Sequence, residues 1–117
     1  MVATRDHSDR ATHSVVLALP NSAVQNAAAD RLQRAGWRVY RAATIASLRR
    51  LACRLAPEVI VMSVDGSDES GWLTCAKLLR GAPRMRVIVV GETTAKERAL
   101  ARFIGAEALL PLSLIHI

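Results

Sequence analysis

Short apolar runs alternate with amphipathic stretches along most of this chain. Runs that predict strands lie at 15–19, 59–64, 85–90 and 108–110, and a stretch of alternating character at 37–40 predicts a further strand. Stretches with apolar residues at helical spacing lie between them, at 22–35, 45–55, 71–80 and 94–104. Strands that alternate with helices predict βαβ units and a parallel sheet with helices on both faces. The apolar strands are typical of a sheet that is buried on both sides. We therefore predict the α/β class, as a doubly wound, five-stranded flavodoxin-like sheet in the order 2-1-3-4-5.

Capping and helix-breaking residues support these boundaries. The residues that can cap a helix at its start are Asn21 or Ser22, Thr44, and Thr93 or Thr94. The residues that fit a helix end are Gly36, Pro57 and Gly105. Signals of both kinds at the expected places make the helix assignments more specific than hydrophobic spacing alone.

Length and composition are those of one folded domain. The chain has 117 residues, and its hydrophobic fraction of 51% argues against disorder. The apolar run at 15–19 is too short to span a bilayer, so we expect no membrane partner. Residues 1–12 are polar and mixed in charge, which predicts a disordered tail and not a secretory signal. A cytoplasmic location is the resulting expectation.

The net charge of +6 is carried mainly by arginine, and seven arginines without an acid lie between residues 31 and 54. Such a block can form a face for nucleic acid or for an acidic partner. The interpretation we favour is a solvated helix face. Trp37 and Tyr40 are the aromatic residues among these arginines, and they fall in a strand pattern. A stacking platform for single-stranded nucleic acid is therefore not indicated.

Candidate catalytic and metal-binding groups are scattered. Cys53 and Cys75 have neither CxxC spacing nor nearby histidines, so we expect two small buried hydrophobes and no metal site. No GxGxxG or GxxxxGK[ST] motif follows a strand, and no Ser-His-Asp or Cys-His set is evident. We expect no cofactor and no enzymatic activity. A small-molecule binder or enzyme on the same architecture is the less favoured interpretation.

The last residues do not read like the end of a domain. Residues 112–117, LSLIHI, are identical to a one-frame translation of the end of a common sequencing-library adaptor. We expect the domain to span 13–111, the tail at 112–117 to be adaptor-derived, and a final helix and any following domain to be missing. A native apolar strand end is the alternative.

Three segments resemble the receiver domain of two-component response regulators. They are PEVIVMSVDGSDESGW at 57–72, GWRVYRAAT at 36–44 and ALARFIGAEALLPL at 99–112, and the resemblance extends over about 13–111. In that family a buried strand ends at a phosphoacceptor aspartate, and a glycine follows eight residues later. Here Ser63 takes the acceptor position, and Gly71 is the glycine. The resemblance implies the receiver fold and a role in phosphorelay signal transduction.

The functional positions of the family are altered together. The resemblance places its magnesium-binding acid pair at Pro20 and Asn21, its hydroxyl at Gly91 and its lysine at Leu112. Without these acids a Mg²⁺ site loses the carboxylate oxygens that the ion prefers, so we expect no metal. Asp65 could be a displaced acceptor, although a loop-turn residue is the simpler interpretation.

We therefore predict a degenerate receiver that acts through protein contacts and not through aspartate phosphorylation. The resemblance implies an output face to which Ala99, Arg102 and Phe103 contribute. The expected partner is an output domain, a kinase or another regulator, with a homodimer as a second option. Nucleic acid would be bound only through a missing output domain.

A second hypothesis is an anti-anti-sigma (STAS-like) regulatory domain. The string DESGW at 68–72 faintly resembles the loop of that family, in which a phosphorylatable serine, here Ser70, precedes a glycine. The strand–helix–strand–helix opening of the chain argues against it, because STAS domains open with paired strands.

Overall fold

The computed structural model describes residues 13–64, 71–82 and 84–111, in which strands and helices alternate. The elements are β1 (Ser14–Ala18), α1 (Ser22–Arg34), β2 (Arg38–Arg41), α2 (Ile45–Leu55), β3 (Val59–Ser63), α3 (Gly71–Gly81), β4 (Arg86–Val90), α4 (Ala95–Ile104) and β5 (Ala108–Leu110). Every predicted strand and helix is present, with its ends shifted by a residue or so. The predicted segments 1–12 and 112–117 lie outside the described residues.

The five strands form one parallel sheet in the order β2-β1-β3-β4-β5, which confirms the predicted topology. The register pairs Val16 with Ile60 across β1 and β3, and Ile60 with Val87 across β3 and β4. These three side chains are fully buried and lie on the same face of the sheet. The three central strands therefore contribute one continuous buried row to this face of the sheet.

Alternate strand residues feed two separate cores, one on each face of the sheet. The larger core packs the sheet against α2 and α3, through Leu48, Ala52 and Cys75. The smaller core packs the other face against α1, through Val24 and Ala29. Helices thus cover both faces, as the doubly wound class requires.

The caps are those that the sequence predicted, and the structure selects between the alternatives. Asn21, and not Ser22, caps α1, because its side chain accepts from the backbone of the first turn. The Thr44 hydroxyl accepts from Ser47 N at 3.0 Å at the start of α2. Thr94, and not Thr93, caps α4 by accepting from Glu97 N at 3.2 Å. Gly105, with a φ of +97°, ends α4 in the left-handed conformation that glycine permits.

One helix end differs from the usual pattern. Ala56, which follows α2, has a φ of +46°, although residues with a Cβ atom rarely adopt this conformation. The N–H of Ala56 still donates to Ala52 O at 3.0 Å. The next residue, Pro57, is buried. The chain therefore leaves α2 by a sharp left-handed turn that leads directly into β3.

The expectation that both cysteines are buried is half wrong. Cys75 is fully buried in the larger core, and its burial raises the pKa of the thiol to about 11. Cys53 is exposed. It follows Ala52 on α2 and so lies about 100° around the helix from the buried stripe. Cys53 therefore does not contribute to the core.

None of the helices among the described residues has the length and apolar character needed to cross a membrane.

Candidate functional site

The predicted site positions follow three neighbouring strands at the carboxyl edge of the sheet. Pro20 and Asn21 follow β1, Ser63 is the last residue of β3, and Gly91 follows β4. Because β1, β3 and β4 are adjacent and parallel, these positions lie along the same edge. This edge is where open α/β sheets bind their ligands. The structure thus brings the sequence-predicted positions to one side of the molecule.

The loop after β1 is held by side chains that act on its own backbone. The Asn21 Oδ1 atom accepts from Ala23 N at 2.8 Å and from Val24 N at 3.3 Å. The Leu19 N–H donates to Gln25 Oε1 at 2.8 Å. Asn21 therefore serves as a helix cap, and Pro20 beside it has no side-chain donor or acceptor.

The role of Gln25 at this loop was not predicted from the sequence. A capping box pairs a cap with an acceptor side chain three residues later, and such a side chain reaches back to the backbone at the cap. Gln25 lies four residues after Asn21, and it reaches further back, to Leu19. The sequence feature that could have predicted this contact is an acceptor side chain in the first turn of a capped helix.

The capping role of Asn21 predicts how its variants behave. We expect Asn21→Ala to lower the free energy of unfolding by about 1 kcal/mol, because two backbone N–H groups lose their acceptor. Asn21→Asp keeps an acceptor oxygen and should stay close to the parent protein. Urea unfolding of the three proteins measures the difference. Equal losses in both variants would contradict the capping role.

Ser63 lies half-buried at the end of β3, next to a close approach between this strand and α3. The following residue, Val64, donates its N–H to Val90 O at 3.2 Å and so continues the sheet. A Cβ atom on Gly71 would overlap the Val64 Cα atom and lie 2.9 Å from the Val64 Cβ atom. Glycine is therefore required where α3 begins, eight residues after Ser63.

Gly91 has a structural role at the end of β4. It is buried, and its N–H donates to Leu110 O at 3.0 Å, which joins the ends of β4 and β5. It offers no hydroxyl at this position. The nearest hydroxyls along the chain are those of Thr93 and Thr94, and the Thr94 hydroxyl caps α4.

The described residues do not fit a magnesium site. Among the described carboxylates that lie next to a strand, Glu58 and Glu107 precede β3 and β5, at the opposite edge of the sheet, and only Glu92 follows a strand. Glu97 accepts from Trp72 Nε1 at 2.8 Å, which links α3 to α4. The described part of the chain contains no group of three or more His, Cys, Asp or Glu residues that could hold a metal ion.

Three further candidates lie outside the described residues. They are Asp65, Ser70 and Leu112.

The predicted output face lies on the outer side of α4. Ala99, Arg102 and Phe103 are all exposed there, and Phe103 is 87% exposed. Ala101, between them in sequence, is buried against the rest of the domain. The helix therefore packs by one face and presents a largely exposed aromatic ring on the other.

No protein-family model matches the chain, and no curated protein matches it in sequence. Solved structures do match. A response regulator receiver domain protein (CheY-like) from Methanospirillum hungatei JF-1 has a TM-score of 0.78 at 18% identity, over 86% of this chain and 81% of that one. The non-phosphorylated HemR receiver domain from Leptospira biflexa has a TM-score of 0.79 at 19% identity, over 86% and 82%. A DNA-binding response regulator of the LuxR family from Staphylococcus aureus has a TM-score of 0.76 at 14% identity, over 88% and 92%.

The sheet order and the two layers of helices define the class as doubly wound α/β. Within that class, the chain has the fold of response regulator receiver domains. The comparisons give no support to the STAS-like alternative.

Proposed function

We propose that this chain is a receiver-type module of two-component signal transduction that acts through protein contacts and not through aspartate phosphorylation. The observation that carries the proposal is the composition of the carboxyl edge. Ser63 stands at the end of β3, and the side-chain oxygen of Asn21 is occupied as a helix cap. The receiver fold and the altered edge together favour a module that has kept its scaffold and lost its usual chemistry.

The chemistry of the edge supports this proposal. Phosphoryl transfer to a protein depends on positioning and on stabilising the charge of the transferring group, mainly with metal ions and cationic side chains. Asn21 and Pro20 provide no carboxylate for the metal. A serine hydroxyl at position 63 would also need a general base or a metal to become a nucleophile. A phosphoserine ester would be far less labile than an acyl phosphate.

Incubation with acetyl phosphate and Mg²⁺ tests the proposal. We expect the intact mass of the purified chain to stay unchanged, while a receiver that has its acceptor aspartate gains a phosphoryl group under the same conditions. A stoichiometric adduct that hydroxylamine removes would be an acyl phosphate and would overturn the proposal. The Asp65→Asn variant would then show whether Asp65 is the acceptor.

A hydroxylamine-resistant adduct would have a different meaning. It would place a phosphoryl ester on a hydroxyl group, and its loss in the Ser63→Ala variant would identify Ser63. That result would also contradict a module that acts only through contacts.

The outer side of α4 is the surface through which we propose that the module acts. Phe103 combines a large apolar ring with high exposure, and Arg102 beside it supplies a charge. Aromatic residues and arginine are enriched at the centres of protein interfaces. The partner would be an output domain, a kinase or another regulator, or a second copy of the chain.

A further inference from the structure

β2 is an open edge of the sheet, at the opposite end from β5 and from the α4 surface. Its Arg38 N–H donates to His13 O at 2.8 Å, and Ala42 N, just after the strand, donates to Leu17 O at 2.8 Å. Successive residues of a strand direct their backbone groups to opposite sides. Val39 and Arg41 therefore direct their N–H and C=O groups away from β1, where the described residues contain no further strand.

Arginines are concentrated on β2 and on the two helices that precede and follow it in the chain. The seven arginines that the sequence shows as one block are distributed over three elements, and all of them are exposed: Arg31 and Arg34 on α1, Arg38 and Arg41 on β2, and Arg49, Arg50 and Arg54 on α2. α1 covers one face of the sheet and α2 covers the other. Arginines therefore lie on the open strand itself and on the helices that cover each face of the sheet.

The sequence places few acids next to this block of arginines. Asp30 forms an ion pair with Arg34 at 3.1 Å, and Glu58 contacts His13 at 2.6 Å. Between residues 31 and 57 the sequence contains no acid. The block itself therefore supplies seven positive charges and no negative one.

We infer that the β2 edge binds an extended acidic segment of a partner protein, which adds to the sheet as a further strand. An added strand would bond to the outward backbone groups of Val39 and Arg41. Its side chains would alternate between the two faces, and the helix that covers each face carries arginines. Charged residues protect an edge strand from neutral or like-charged strands. The same arginines would attract an acidic strand.

The aromatic residues favour a protein partner over single-stranded nucleic acid. Trp37 packs into the smaller core and Tyr40 into the larger one, and both are half-buried. Neither ring is presented on the surface as a platform for bases. A DNA duplex could bind through charge alone, and the experiment below compares its binding with that of the peptide.

The test uses the full chain and a short fluorescent peptide with glutamates at both odd and even positions, separated by threonines. Fluorescence anisotropy should show saturable binding that weakens as salt is added. The same peptide with every backbone amide N-methylated keeps its charge and loses the backbone donors on both of its edges. It should bind roughly tenfold more weakly, since the hydrogen bonds to the edge are lost.

Charge-reversed variants locate the site. Arg41→Glu combined with Arg50→Glu should weaken binding roughly tenfold or more, because attraction becomes repulsion at both positions. The control combines Arg80→Glu with Arg84→Glu, two exposed arginines on and after α3 that carry the same change in net charge. The control should bind with little change.

Three results would overturn the inference. They are no saturable binding of the peptide, equal affinity for the N-methylated peptide, or equal losses in the two charge-reversed variants. Tighter binding of a random-sequence DNA duplex than of the peptide would assign the edge to nucleic acid instead.

Discussion

Replacing Gly71 by alanine should lower the free energy of unfolding by about 3 kcal/mol, at the upper end of the usual cost of overpacking. The added methyl would overlap the Val64 Cα atom, and backbone cannot rotate away as a side chain can. Relief would require α3 to move off the end of β3. Because α3 carries Cys75 into the larger core, this movement would also loosen the packing there. Urea unfolding measures the loss.

Gly81→Ala is the matched control for this prediction. Gly81 is the last residue of the same helix, and a Cβ atom there would meet nothing within 4 Å. The substitution should leave stability unchanged or raise it by about 0.5 kcal/mol, since alanine is the better helix former. Opposite signs for the two variants would show that contact with Val64, and not helix propensity, requires glycine at position 71. A neutral Gly71→Ala variant would contradict the close approach.

The helix starts could be predicted from the sequence because capping is local. Asn21, Thr44 and Thr94 each accept from a backbone N–H two or three residues later, so each cap depends on only a few neighbouring residues. The sequence alone left Asn21 and Ser22 as alternatives. The choice depends on where β1 ends and the chain turns, which is a property of the whole sheet.

Two features could not be predicted because they depend on how elements dock. No glycine or asparagine marks the left-handed turn at Ala56, whose conformation follows from the path between α2 and a buried Pro57. The contact between Gln25 and Leu19 depends on the angle between β1 and α1. The exposure of Cys53 is different, since its position off the apolar stripe of α2 was visible in the sequence.

The candidate site could be predicted in position and only partly in role. Parallel strands place their carboxyl ends together, so the positions of Asn21, Ser63 and Gly91 follow from the strand order. The structure adds that Asn21 and Gly91 have structural roles, as a cap and as a link between two strand ends. Restoring a metal site would therefore disturb local structure as well as change side chains. Ser63 therefore lies beside positions, Asn21 and Gly91, that have structural roles.

Truncation of two large apolar side chains should have very different effects on stability, because one is buried and the other is exposed. Leu48 is fully buried at the contact of α2 with the larger core, and Phe103 is 87% exposed on α4. We expect Leu48→Ala to lower the free energy of unfolding by about 3 kcal/mol, since it removes buried contacts and leaves a cavity. Phe103→Ala should change it by less than about 0.5 kcal/mol. Urea unfolding of both variants gives the two values side by side.

The Phe103 result bears on function as well as on stability. An exposed aromatic ring that contributes nothing to folding is available for contact with a partner, and aromatic residues are often the energetic centres of interfaces. A large loss of stability in Phe103→Ala would mean that the ring packs against the domain in solution. Phe103 would then not be available to a partner, and the proposed role of the outer side of α4 would lose its main support. If stability is unchanged, Phe103→Ala can be used to weaken partner binding without unfolding the domain.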